Sequence, residues 1–181
     1  MSIYTNLVKK PAPAYINTGL SAMKTSKLIA LFGQPRKSYS QTCMPITNTK
    51  LKRRIVTASV GPFRVTGMDI AVESLKGVFA DIIRAGKADL YGQIGTAGML
   101  CVRFVRGSDS TLSNHSFGLA VDLTIGGILD RRGDNKVQQG LLDLYPYFHR
   151  HGWYWGAEYS TEDGMHWELS WEKFLELNAG R

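Results

Sequence analysis

The apolar positions of this chain change period several times, and each change marks an element. Residues 1–20 show little periodicity around Pro11, Pro13 and Gly19 and read as an extended arm. The run K-L-I-A-L-F follows Thr25 and Ser26, either of which can cap a short helix that Gly33 and Pro35 end. Residues 36–52 read as irregular, and I-V-T-A-S-V and P-F-R-V predict short strands about the Gly61-Pro62 turn. Val72, Leu75, Phe79, Ile82 and Ile83 recur at helical spacing, which predicts a helix from about Asp69 to Ala85, closed by Gly86. M-L-C-V-R-F-V (99–105) reads as a largely apolar strand, and L-A-V-D-L-T-I (119–125) as another, interrupted by Asp122. Leu141, Leu142, Tyr145 and Phe148 predict a helix around Val137–Phe148 that Pro146 must kink or split. G-W-Y-W and M-H-W-E-L predict two further strands, and Ser170 can cap a last helix through Leu177. The order of elements is α+β, with a small antiparallel sheet flanked by helices.

Size and composition narrow the classes. A chain of 181 residues fits one domain and can bury a real core. No run approaches the ~18 apolar residues that span a bilayer. The start, M-S-I-Y-T-N-L-V-K-K-P, lacks the charged, apolar and small-residue regions of a secretion signal, so the expectation is synthesis in the cytoplasm without one. Two cysteines are too few for a disulfide framework. Cys101 reads as a small buried hydrophobe and Cys43 as an unpaired structural residue; neither has a C-x-x-C partner, which argues against a thiolate zinc site.

Charge divides the chain. Residues 1–60 hold ten Lys or Arg and no Asp or Glu, which leaves a net charge of −3 on residues 61–181. The segment reads as a basic extension packed on or leading into a domain over 61–181. Such a field attracts polyanions, among them an anionic cell-envelope polymer, or simply solvates the surface. Its aromatics (Tyr4, Tyr15, Phe32, Tyr39) are scattered, which gives no stacking platform for a specific nucleic acid.

Two stretches carry chemistry: S-N-H-S-F-G-L-A-V-D (113–122) and D-G-M-H-W-E (163–168). They supply two histidines and an aspartate, the donors of a three-ligand catalytic zinc site, and a further aspartate three residues before the second histidine. Asp122 lies between apolar neighbours, where a buried carboxylate needs a cation; a zinc ion answers that need, and so does a salt bridge to Arg103 or Arg106. Gly118 and Ala120 permit close backbone approach between His115 and Asp122. Strand alternation sends Met165, Trp167 and Leu169 to the core and turns His166 and Glu168 towards a cleft. Asp163 is then placed as a base for a water at the metal.

In this order the two motifs resemble the family of D-alanyl-D-alanine carboxypeptidases and L-alanyl-D-glutamate endopeptidases, zinc peptidases that include phage endolysins and share a scaffold with the hedgehog signalling domain. H-G-W-Y-W-G (151–156) extends the resemblance over about residues 95–172; residues 1–60 match no pattern of that family. The resemblance implies one Zn²⁺ per chain held by His115, Asp122 and His166, with Asp163 as base. The family's G-Y-R-[ST] motif is missing. C-V-R-F-V-R-G-S stands instead, and the substrate-polarising arginine is expected at Arg103, with Arg106 as competitor. Ser113, Trp167 and Glu168 are candidates for orienting the ligands and shaping the pocket, although Ser113 equally suits a turn and Trp167 the core. His151 is a candidate substrate contact or a helix-end cap. The implied function is zinc-dependent hydrolysis of an amide bond in the peptidoglycan stem peptide, by an endolysin-type endopeptidase or a carboxypeptidase. Such an enzyme reaches the cell wall at lysis or by a virion or effector route. The alternative is a non-catalytic, zinc-bearing binding module of the hedgehog type.

Overall fold

A computed structural model describes residues 2–180. In chain order the elements are β1 (Leu7–Lys9), α1 (Thr25–Phe32), α2 (Thr49–Lys52), β2 (Ile55–Ser59), β3 (Arg64–Met68), α3 (Asp69–Arg84), α4 (Ala88–Tyr91), β4 (Ile94–Gly98), β5 (Ala120–Ile125), β6 (Ile128–Leu129), β7 (Lys136–Gln138), α5 (Gln139–Arg150), β8 (Trp153–Trp155), β9 (His166–Leu169) and α6 (Trp171–Asn178). Single 3-10 turns lie before and between them, one at Asn114–Phe117. The expected α+β class is what the elements form: a five-stranded antiparallel sheet of order β4-β5-β9-β8 with β6 on β5, beside two two-stranded pairs, β1-β7 and β2-β3.

The sheet has two chemically different faces because side chains alternate along a strand. Val121, Leu123 and Ile125 of β5 join Trp167 and Leu169 of β9 and Trp153 and Trp155 of β8 in the core. Aromatic packing binds that face to the helices: Trp155 stacks on Trp167 with centroids 5.0 Å apart, and Phe148 of α5 meets Trp167 at 4.4 Å. The α3 stripe buries Val72, Leu75, Phe79 and Ile82, while Ile83 stays exposed. Each large aromatic so buried contributes about 2–3 kcal/mol.

Several expected elements take a different form. Residues 99–105 make no strand, only the isolated bridges Met44↔Val102 and Phe104↔Leu112. Their backbone groups bond loops instead, with Cys101 N–H donating to the His115 carbonyl and Phe104 N–H to that of Ser40. The strand that pairs with β5 is the glycine-rich I-G-T-A-G of β4. Helix α1 begins at Thr25 itself, behind Lys24, with no side-chain cap. Helix α5 runs unbroken through Pro146, which sits on its exposed side, where the backbone group that loses its partner is open to solvent. Ser170 caps α6, accepting from Lys173 N–H, as its position suggests.

The cysteines, expected to be unpaired, are joined as Cys43–Cys101, closing a separation of 58 residues. Two cysteines build no framework, yet here they staple residues 39–44 to the segment leading into His115.

Residues 1–60 contribute Ile16, Met23, Leu28, Phe32, Ile46 and Leu51 to the same core. The arm-like start is tied down: β1 pairs with β7, and buried Asn17 bridges to Trp155 through its Oδ1 (2.8 Å) and Nδ2 (3.0 Å). Part of the basic charge is used internally. Arg54 grips Asp69 with two bonds of 2.9 Å, while Arg36, Lys50 and Lys10 donate to backbone carbonyls. Among the described residues, no helix is long and apolar enough to cross a membrane.

Candidate metal centre

Three elements bring three donors together. Asp122 lies at the middle of β5, directly opposite His166 in the antiparallel register with β9. His115 comes from the 3-10 turn before β5. Ser113 opens that turn by accepting from His115 N–H, and Gly118 closes it at φ +65°. Gly118 admits no side chain, since a Cβ there would lie 2.7 Å from Met68 N. Only glycine combines this φ with so close a backbone approach.

The distances form a nearly equilateral triangle. His115 Nε2 lies 3.2 Å from both Asp122 Oδ1 and His166 Nδ1, and the last two atoms are 3.1 Å apart. Donors about 2.0–2.1 Å from a tetrahedral zinc stand about 3.3 Å from one another, so the triangle fits such an ion. Each imidazole is also oriented. His115 Nδ1 lies 2.8 Å from the Met99 carbonyl oxygen, and His166 Nε2 lies 3.1 Å from Glu168 Oε2. Both partners only accept, so each outer nitrogen carries a proton; the inner nitrogens face Asp122, as lone pairs when a cation is held there and as donors when a ring is protonated. Three acceptors pointed at one another are stable only around a cation.

The electrostatics agree. Burial alone would raise the Asp122 carboxyl, but hydrogen bonds to the two histidines hold it well below the ordinary carboxylate range. Burial would depress His166, yet Asp122 and Glu168 outweigh it and lift its pKa to about 10. Without a metal, a proton on His166 supplies the positive charge.

Behind the triangle stands a buried carboxylate. Glu168 Oε2 accepts from His166 and from Asn114 Nδ2 (2.6 Å), and its Oε1 accepts from Met23 N–H (2.8 Å). Burial works against its ionisation, and these bonds overcome that and keep it low. The cleft side expected for Glu168 is therefore covered by the N-terminal segment. Trp167 is wholly core.

The remaining candidates divide. Asp163 is largely buried, its pKa raised by burial and by Asp122 against the pull of His166 and Arg132. Its Oδ1 has no hydrogen-bond partner among the described residues, and its Oδ2 lies 3.5 Å from Arg132 Nε. Arg103 donates to the Phe104 carbonyl (2.9 Å); burial and Arg106 lower its pKa, and Asp122 and Asp163 act on it in the opposite sense. Its charge is thus felt at the site while Arg106 is exposed beside it. His151 stands apart from the cluster: it takes the helix-end position expected as one alternative, as the C-cap residue of α5, and its Nε2 bonds Asp81 of α3 at 2.9 Å.

Several participants had no sequence signal. Met23 and Asn114 reach Glu168 through the fold. Tyr159 stands with its ring 5.9 Å from that of His166, its hydroxyl kept protonated by burial and by the Glu168 charge. Arg132 belongs to an R-G-D triplet that reads as a plain surface loop. An intervening Glu162 anchors that loop, and an acidic residue beside Asp163 in E-D-G was the one available hint.

Residues 106–169 match a family model described as D-alanyl-D-alanine carboxypeptidase. The matched stretch contains His115, Asp122, Asp163 and His166, whereas Arg103 and the N-terminal segment lie outside it. No curated protein and no solved structure matches the chain.

Proposed function

We propose that this protein is a zinc-dependent peptidase of the peptidoglycan stem peptide, of the endolysin-type L-alanyl-D-glutamate endopeptidase or D-alanyl-D-alanine carboxypeptidase kind. The observation that carries the reading is the triangle of His115, Asp122 and His166, with both imidazoles turned inward by outer acceptors. His115, Asp122 and His166 would hold a zinc ion, which would supply a Lewis acid for the scissile carbonyl and lower the pKa of a bound water towards neutrality.

The chain's own groups do the rest. Asp163, with one oxygen unpartnered, takes the proton of the attacking water and passes it to the leaving amine. Burial raises its proton affinity, which suits both halves of that task. Arg103 offsets the negative charge that develops on the tetrahedral oxyanion. Glu168 holds His166 in the tautomer that binds metal. The disulfide suits a non-reducing compartment, which agrees with action on the cell wall after release at lysis or delivery.

The test is mass spectrometry of purified peptidoglycan fragments after incubation with the protein, with and without a zinc chelator. Chelator-sensitive products are expected, and their masses name the cleaved bond. Asp163→Asn should retain stoichiometric zinc and lose about 10²–10⁴ in turnover, the usual worth of a general base. His166→Ala should lose metal and activity together. Intact fragments in the presence of bound zinc would instead favour a hedgehog-type binding module.

A further inference from the structure

Arg132 is placed beside Asp163 by a dedicated support. The buried Glu162 carboxylate, next to Asp163 in sequence, accepts the backbone N–H groups of Gly133 (2.5 Å), Asn135 (2.8 Å) and Asp134 (3.3 Å). One side chain thus ties the loop carrying Arg132 to the turn carrying Asp163. Asp130 closes the loop's base by accepting Gln138 N–H at 2.9 Å, with Gly164 packed directly against it.

The contact that this support presents is weak. Arg132 reaches Asp163 through Nε alone, at 3.5 Å, and its side chain is 40% exposed. The structural pair Arg54–Asp69 is bidentate at 2.9 Å. Arg132 makes no other hydrogen bond among the described residues, so its two terminal nitrogens remain available as a fork for a carboxylate. Asp122 is committed to the histidines, and the Asp163 charge is met by Arg132 and felt at Arg103, while Asp130, Asp134 and Glu162 add negative charge behind the loop.

Resting on the peptidase reading, we propose that Arg132 selects the substrate by its charge, exchanging Asp163 for a free carboxylate on the amino acid that supplies the leaving amine. Both candidate bonds have this feature. The terminal D-alanine of a D-alanyl-D-alanine end carries its α-carboxylate, and so does a D-glutamate that continues the stem through its side-chain carboxyl. The exchange clears Asp163 Oδ2 only when a correctly charged substrate is in place. An amide at that position leaves the ion pair intact.

The experiment is titration calorimetry of the zinc-loaded chain with two probe pairs. They are diacetyl-L-lysyl-D-alanyl-D-alanine against its C-terminal amide, and acetyl-L-alanyl-D-glutamate against the α-amide, acetyl-L-alanyl-D-isoglutamine. At least one acid should bind ten-fold or more tighter than its amide, and which pair discriminates identifies the source of the carboxylate. Arg132→Gln should erase that preference and Arg132→Lys restore part of it. Equal binding of acid and amide, no binding of any probe, or a preference that survives in Arg132→Gln would each overturn the proposal. Hydrolysis of the same probes is scored separately. Cleavage without charge preference rejects the Arg132 role alone, whereas charge preference without cleavage of probes or peptidoglycan rejects the peptidase reading and keeps the clamp.

Discussion

Two imidazoles hold the Asp122 carboxyl below its ordinary range against the effect of burial, and Asp122 with Glu168 raises the proton affinity of His166 against the same effect. A metal ion must therefore displace the His166 proton. With the folded value raised to about 10, zinc uptake near neutral pH should release about one proton, and apparent affinity should climb as pH rises. Calorimetry in buffers of different ionisation enthalpy measures that stoichiometry; uptake without proton release would show the ring already neutral. The sign for the metal-free protein follows from linkage. A raised histidine stabilises fully below its unfolded value of about 6.5, and that stabilisation is lost as pH rises towards about 10. Asp122, shifted down, stabilises above its ordinary value and ceases to do so in acid. Glu168→Gln keeps the size of the side chain and removes its charge behind His166. Metal affinity should fall about 10–100-fold, read by competition with a chromophoric chelator.

Among the elements, the antiparallel register of β5 and β9 matters most, because it sets Asp122 opposite His166; a one-residue slip would turn one of them into the core. The segment that delivers His115 has no such ladder. It depends on isolated bridges, on Gly118 and on the Cys43–Cys101 link. Closing a loop of 58 residues removes unfolded-state entropy worth about 4 kcal/mol. The double variant Cys43→Ala/Cys101→Ala should lose about 2–4 kcal/mol in urea denaturation. An unchanged midpoint would mean that the bridges alone hold this segment. Here sequence reading fell short for a definite reason: M-L-C-V-R-F-V has strand composition, but its backbone partners are distant loops that no local pattern announces.

At the scale of the whole molecule, the N-terminal segment is a wall of the site. Met23 donates to Glu168, and Asn17 holds Trp155 and Glu158 from a left-handed conformation of φ +57°. Asn17→Ala strands the Trp155 N–H and carbonyl inside the protein, at a cost of about 1–3 kcal/mol for each unsatisfied group. Thermal denaturation should place the variant several degrees below the wild type. A shift within one degree would mean that the segment docks without stabilising the sheet.

The three residues of the candidate metal cluster were legible in the sequence because chemistry and alternation are local properties. Two histidines and an aspartate in strand-like settings announce a site, and a period of two assigns His166 and Trp167 to opposite faces. The helix over α3 and the cap at Ser170 were legible for the same reason: each depends on neighbours three or four residues away. Only the tertiary structure decided that Cys43 meets Cys101, that Met23 and Asn114 brace Glu168, that His151 belongs to Asp81, and that Arg132 leans on Asp163. These contacts join residues tens of positions apart, and the packing of the whole core, rather than any local period, determines which distant groups meet.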